Sequence, residues 1–67
     1  MLVFVNKQSL DIPENSVLLA ALQQTGIVSF QGMAVAVNNQ VIQKAKWNEY
    51  LLKKNDKITV IRATQGG

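Results

Sequence analysis

Polar and apolar residues alternate at the start of the chain in a way that predicts a β-hairpin. Leu2-Val3-Phe4-Val5 is apolar and rich in β-branched residues, which favours a strand. Asn6-Lys7-Gln8 reads as a tight turn, because asparagine tolerates the left-handed backbone region. Ser9-Leu10-Asp11-Ile12 then alternates polar with apolar, as a half-buried returning strand does, and Pro13 ends it because it has no N–H to donate. From Val17 to Thr25 the period lengthens: Leu18, Leu22 and Thr25, with Leu19 and Ala21 beside them, form a stripe at helical spacing. Asn15-Ser16 supplies candidate N-cap oxygens, Glu14 an acidic group near the helix start, and Gly26 a C-terminal cap.

Beyond the helix, Ile27 to Gly32 is a loop carrying Phe30. Met33 to Val37 is a strand, Asn38-Asn39 a turn, and Gln40-Val41-Ile42 a short returning strand. Lys44 to Lys54 mixes Trp47, Tyr50, Leu51 and Leu52 with polar residues and predicts an irregular crossover with one helical turn, its aromatics at the core edge. After the polar turn Lys54-Asn55-Asp56-Lys57, Ile58 to Ile61 is the final strand. The order β-β-α-β-β-β makes an α+β domain with one helix on one face of a mixed sheet of four or five strands.

One helix covers one face, yet the first and last strands are apolar on both. Val3 and Val5 point one way, Leu2 and Phe4 the other; Ile58 and Val60 oppose Thr59 and Ile61. Either loops such as the one around Phe30 cover the second face, or it is an interaction surface. Residues 1–61 form this domain, and 62–67, Arg62-Ala63-Thr64-Gln65-Gly66-Gly67, are read as a flexible tail. Six extended residues reach roughly 20 Å.

Composition narrows the chemistry. Sixty-seven residues make one small domain that buries about 60% of its unfolded surface. With neither cysteine nor histidine, disulfides and thiolate or imidazole metal sites are absent, and so are the usual general base and the strongest nucleophile. Asp11, Glu14, Glu49 and Asp56 show no pairing that marks a catalytic couple, so the chain is not expected to be an enzyme, nor to bind a cofactor or metal itself. The apolar start is too short for a signal peptide or membrane span, which makes a cytoplasmic protein the expectation. The net charge of +3 permits an acidic partner without naming one. Lys44, Lys46, Lys53, Lys54 and Lys57 with Trp47 and Tyr50 could make a basic, aromatic RNA surface, though a solvated lysine face with core-edge aromatics is the plainer reading.

The order of elements and the closing Gly66-Gly67 resemble the ubiquitin-like β-grasp, and more narrowly the ThiS-type sulfur carriers of thiamine biosynthesis. The resemblance spans nearly the whole chain. It rests on the opening strand running into Asn6, Val17-Leu18-Leu19 at the helix start, and Ala34-Val35-Ala36-Val37-Asn38-Asn39-Gln40-Val41-Ile42. Lys44-Ala45-Lys46-Trp47 and Asn55-Asp56-Lys57-Ile58 complete it. Asn55 stands where a glycine is more usual, and Ala63-Thr64-Gln65 is more polar than the common approach to the diglycine. The small subunit of molybdopterin synthase shares fold and tail but is usually longer; a ubiquitin-like or RNA-binding module is a further alternative.

The resemblance implies a protein co-substrate. The Gly67 carboxylate would be adenylated with ATP by an E1-like partner of the ThiF type, then converted to a thiocarboxylate by a sulfur donor such as a cysteine desulfurase. It would finally give up sulfide to a ThiG-type thiazole synthase. An α-carboxylate, ordinarily titrating near 3.3–3.7, is ionised at neutral pH, and Gly66 gives access because a backbone without Cβ threads a narrow channel. The implied docking surface is the sheet face away from the helix: Leu2, Phe4, Thr59 and Ile61, with Arg62 and Gln65 at the root and middle of the tail. Neither nucleic acid nor membrane is an implied partner.

Overall fold

The computed structural model describes residues 1–27 and 29–62. The tail from Ala63 on, with Gln65, Gly66 and Gly67, lies outside the described residues. Strands β1 (Leu2–Val5), β2 (Gln8–Asp11), β3 (Met33–Val37), β4 (Gln40–Ile42) and β5 (Lys57–Arg62) form one sheet in the order β2-β1-β5-β3-β4. The central pair, β1 and β5, is parallel, with Phe4 opposite Lys57 and Val5 opposite Ile58; the other neighbours are antiparallel. Helix α1 (Leu18–Gln24) and a single 3₁₀ turn (Lys44–Lys46) lie outside the sheet. This is the ubiquitin-like β-grasp. Its last strand runs through Arg62, one residue past the expected domain boundary, because Arg62 still pairs opposite Met33.

The core forms where the sheet's inner rows meet the helix. Val3, Val5, Val35, Val37 and Ile58 come from the three central strands, and Leu18, Ala21 and Leu22 from α1 at i, i+3, i+4 spacing. Trp47 is 2% exposed, a core residue and not the edge residue its polar neighbours suggested. Its ring N–H donates to the Ile42 carbonyl at 2.9 Å, so the indole enters the core with its one donor satisfied.

Helix α1 starts differently from the expectation. Its N-cap is Val17, which makes no side-chain cap bond, and the Ser16 hydroxyl donates instead to the Pro13 carbonyl at 2.6 Å. The first helical N–H groups are capped from a distance: Leu18 N donates to Tyr50 O at 2.8 Å and Leu19 N to Trp47 O at 2.9 Å. A helix of seven residues is far too short to be stable alone, and the crossover supplies both its cap and part of its packing. Gly26 does end the helix in the left-handed region, at φ 84°.

Five asparagines and Lys7 hold positive φ. Asn6-Lys7 and Asn38-Asn39 are the two hairpin turns, whose geometry asks for positive φ at both central residues. Asn55, at φ 69°, holds the left-handed region that glycine adopts freely, and a short polar side chain tolerates that backbone.

Candidate functional site

Alternation along the strands, checked against the pairing registers, assigns each residue to a face. Ile58 pairs with Val5 and Val37, all buried, so Thr59 and Ile61 face away from the helix. Leu2 and Phe4 share that outer face because Val3 and Val5 are buried. Leu2 is 42% and Ile61 57% exposed, while Phe4 is half-buried. The register adds Ala36 beside Thr59, Ala34 beside Ile61, and Val41 beside Ala36. Val41, at 71%, is the most exposed large apolar residue on this face.

The outer face is therefore a largely apolar strip crossing β1, β5, β3 and β4, made shallow by two alanines and interrupted on β5 by Thr59 and Lys57. Ala34, Ala36 and Val41 are not among the docking residues expected from the sequence. The alternation of alanine with valine from Ala34 to Val37 marked two unequal faces, but only the strand order places that segment beside β5. The four expected docking residues are not equally close. Thr59 and Ile61 step along β5 towards its C-terminal end, while Leu2 sits at the other end of the sheet near the 53–56 turn, where Asn55 N donates to Leu2 O at 2.7 Å. Phe4 and Thr59 form the middle, and Ile61 is the outer-face residue nearest the tail. Arg62 alternates onto the helix side and lines a different groove with Val60, Leu10 and Ile27, so it does not join the other four.

Among the described residues, the loop around Phe30 does not cover this strip. Phe30 packs edge-on against Trp47 on the helix side, with ring centroids 5.6 Å apart and an interplanar angle of 87°. The same contact and the burial of Trp47 remove the indole from any RNA-stacking surface. Lys46 pairs with Glu49 at 3.6 Å, as solvated lysines commonly do.

Strand β5, which leads into the tail, is held by the two turn asparagines. The Asn6 side chain accepts from Val60 N at 2.8 Å and donates to Val60 O at 3.4 Å, acting as one more residue of strand beside β5. Asn38 Oδ1 accepts from Lys57 N at 3.0 Å, and its amide donates to Asp56 Oδ1 at 2.9 Å. Asp56 is the one buried charged residue among those described; its second oxygen accepts from Lys53 N at 2.8 Å. Each oxygen of this carboxylate has a donor, as burial demands, and the start of β5 is locked in place.

Between the two turns lies a groove of about 520 Å³, lined by Phe4 and Thr59 of the outer face and by Asn6, Lys7, Asn38, Asn39 and Lys57. Among the described residues no three His, Cys, Asp or Glu side chains come together as metal ligands. No helix of the described residues is long and apolar enough to cross a membrane.

Comparison with known proteins places this geometry. Residues 3–67 match the model of the ThiS family. A crystal structure of the thiamine biosynthesis protein ThiS from Geobacter metallireducens superposes with a TM-score of 0.83 at 17% identity, over 100% of both chains. A solution structure of a thiamine biosynthesis protein from the same organism gives 0.77 at 19% identity, covering 100% of this chain and 88% of that one. At such identities the likeness shows the fold. A search of curated proteins returns no match.

Proposed function

Because the chain belongs to the ThiS family, we propose that it is a sulfur carrier for the thiazole moiety of thiamine. The observation that carries this reading is that the family match runs to residue 67 and so includes the diglycine. The Gly67 carboxylate oxygen attacks the α-phosphate of ATP inside an adenylating partner, and pyrophosphate leaves. A sulfur donor then displaces AMP from the acyl-adenylate to give the thiocarboxylate, which delivers sulfide to a thiazole synthase. The carrier's own side chains take no part in bond making: it brings a carboxylate, a narrow backbone at Gly66 and a surface for docking.

The outer strip of Phe4, Thr59, Ala36, Ile61 and Val41 is the surface that serves docking, since it is largely apolar and free of cover among the described residues. The tail leaves β5 one residue beyond Ile61. A partner seated over Ile61 can therefore receive Gly67 up to roughly 20 Å away. The test is ATP–pyrophosphate exchange by the adenylating partner with the carrier as co-substrate. Exchange should depend on Gly67 and vanish when it is deleted; exchange that survives the deletion refutes the assignment.

A further inference from the structure

Building on that reading, we infer that the groove between the two hairpin turns is an electrostatic latch for the adenylating partner. Lys7 and Lys57 receive a carboxylate side chain that the partner presents next to an apolar one, and the apolar one rests on Phe4 and Thr59. Three observations support it. First, the groove has an apolar floor and two lysines on its edge, and neither lysine has an ion-pair partner among the described residues. Second, Lys7 holds φ 71°, a backbone conformation that costs an ordinary side chain about 1–2 kcal/mol and that glycine adopts freely. A lysine that lines the groove from a backbone conformation of this kind points to a use for its charge. Third, the groove continues the docking strip: Phe4 and Thr59 belong to both.

The chemistry matches a carrier's task. A protein that must visit an adenylating enzyme and then leave it gains more from charge-steered encounter than from a large apolar seal. Rim charges act mainly on the association rate, and steering can raise that rate by 10-fold or more. Lys57 and Ile61 lie four residues apart on one strand, roughly 13 Å at 3.3 Å per residue. One partner surface can therefore span the latch and the root of the tail.

The experiment measures the apparent KM for the full-length carrier in ATP–pyrophosphate exchange, using the adenylating enzyme of the same organism, at several NaCl concentrations. Lys7→Glu and Lys57→Glu are compared with Lys44→Glu, which changes net charge equally but lies on the helix side beside Leu19 and Phe30. The latch predicts a KM rise on the order of 10-fold for each of the first two at low salt. It also predicts unchanged kcat, and a gap to wild type that closes as salt screens the charges. Lys44→Glu should stay within about twofold, as a surface substitution away from the contact does. Thermal melts confirm that each variant folds, and the neutral pair Lys7→Gln with Lys57→Gln serves if a reversal does not. An equal effect of Lys44→Glu, or no effect of the groove variants, overturns the latch and leaves the carrier intact. Absence of exchange with wild type overturns both. In a parallel arm, salt-sensitive binding of a single-stranded RNA oligonucleotide that is lost with Lys7→Glu would assign the groove to nucleic acid and overturn the latch; no such binding supports it.

Discussion

The two faces of β1 and β5 share a backbone yet have opposite fates. On the helix side, Val3, Val5 and Ile58 are buried against Leu18, Leu22 and Trp47. One residue along, Leu2, Phe4, Thr59 and Ile61 meet no helix, and Leu2 and Ile61 stay substantially exposed although both are apolar. Burying an aliphatic side chain is worth about 1.5–3 kcal/mol, so the outer row leaves unused a stabilisation that the inner row collects. In a domain this small the margin is only a few kcal/mol. In the proposed carrier, a docked partner is the place where these apolar residues become buried. Substitutions on neighbouring residues of β1 and β5 should therefore separate cleanly into loss of fold and loss of partner.

The largest expected effect is on the inner side. Trp47→Ala should destabilise by about 3–5 kcal/mol, enough to leave little folded protein in a denaturant titration; a small change would mean that the core does not depend on the indole. Next comes the lock at the start of β5. Asn38→Ala removes the donor to the buried Asp56 carboxylate and the acceptor for Lys57 N, and should cost about 2 kcal/mol by the same measurement. On the outer side, Ile61→Asp should alter stability by no more than about 0.5 kcal/mol while raising KM for the adenylating partner several-fold. If Phe4→Asp and Ile61→Asp both fold and are adenylated as well as wild type, the outer face is not the docking surface. The smallest effect has opposite signs on the two counts. Lys7→Gly relieves the positive-φ strain and should raise stability by less than about 1 kcal/mol, yet it weakens docking.

Much of this contrast was legible in the sequence, and the misreadings share a cause. Strands β3 and β4 fall on their expected residues because alternation and the Asn38-Asn39 turn are local signals. The helix begins within one residue of its expected start, but its cap differs: Asn15-Ser16 looks like a cap, whereas the carbonyls of Trp47 and Tyr50, some 30 residues away in sequence, do the capping. Ser16 spends its hydroxyl on Pro13 instead. The polar neighbours of Trp47 predict a place at the core edge, whereas the indole is buried and donates to the Ile42 carbonyl inside the core. For the candidate site, alternation splits β1 and β5 each into two rows, and the resemblance to the β-grasp assigns Leu2, Phe4, Thr59 and Ile61 to the outer face; the same parity sends Arg62 to the other. The additions of Ala34, Ala36 and Val41, and the meeting of Lys7 with Lys57, depend on strand order and on a parallel central pair. Periodicity does not encode either one.

The central claim is that the fold presents one carboxylate, at Gly67, for activation and sulfur loading. Its most direct test is the intact mass of the protein after incubation with ATP, the adenylating partner and a sulfur donor. A gain equal to one oxygen-for-sulfur exchange, localised to Gly67 and abolished by deleting that residue without shifting the thermal melt, is the predicted result. An unchanged mass in the presence of a partner shown to be active, or a gain that persists without Gly67, would contradict it.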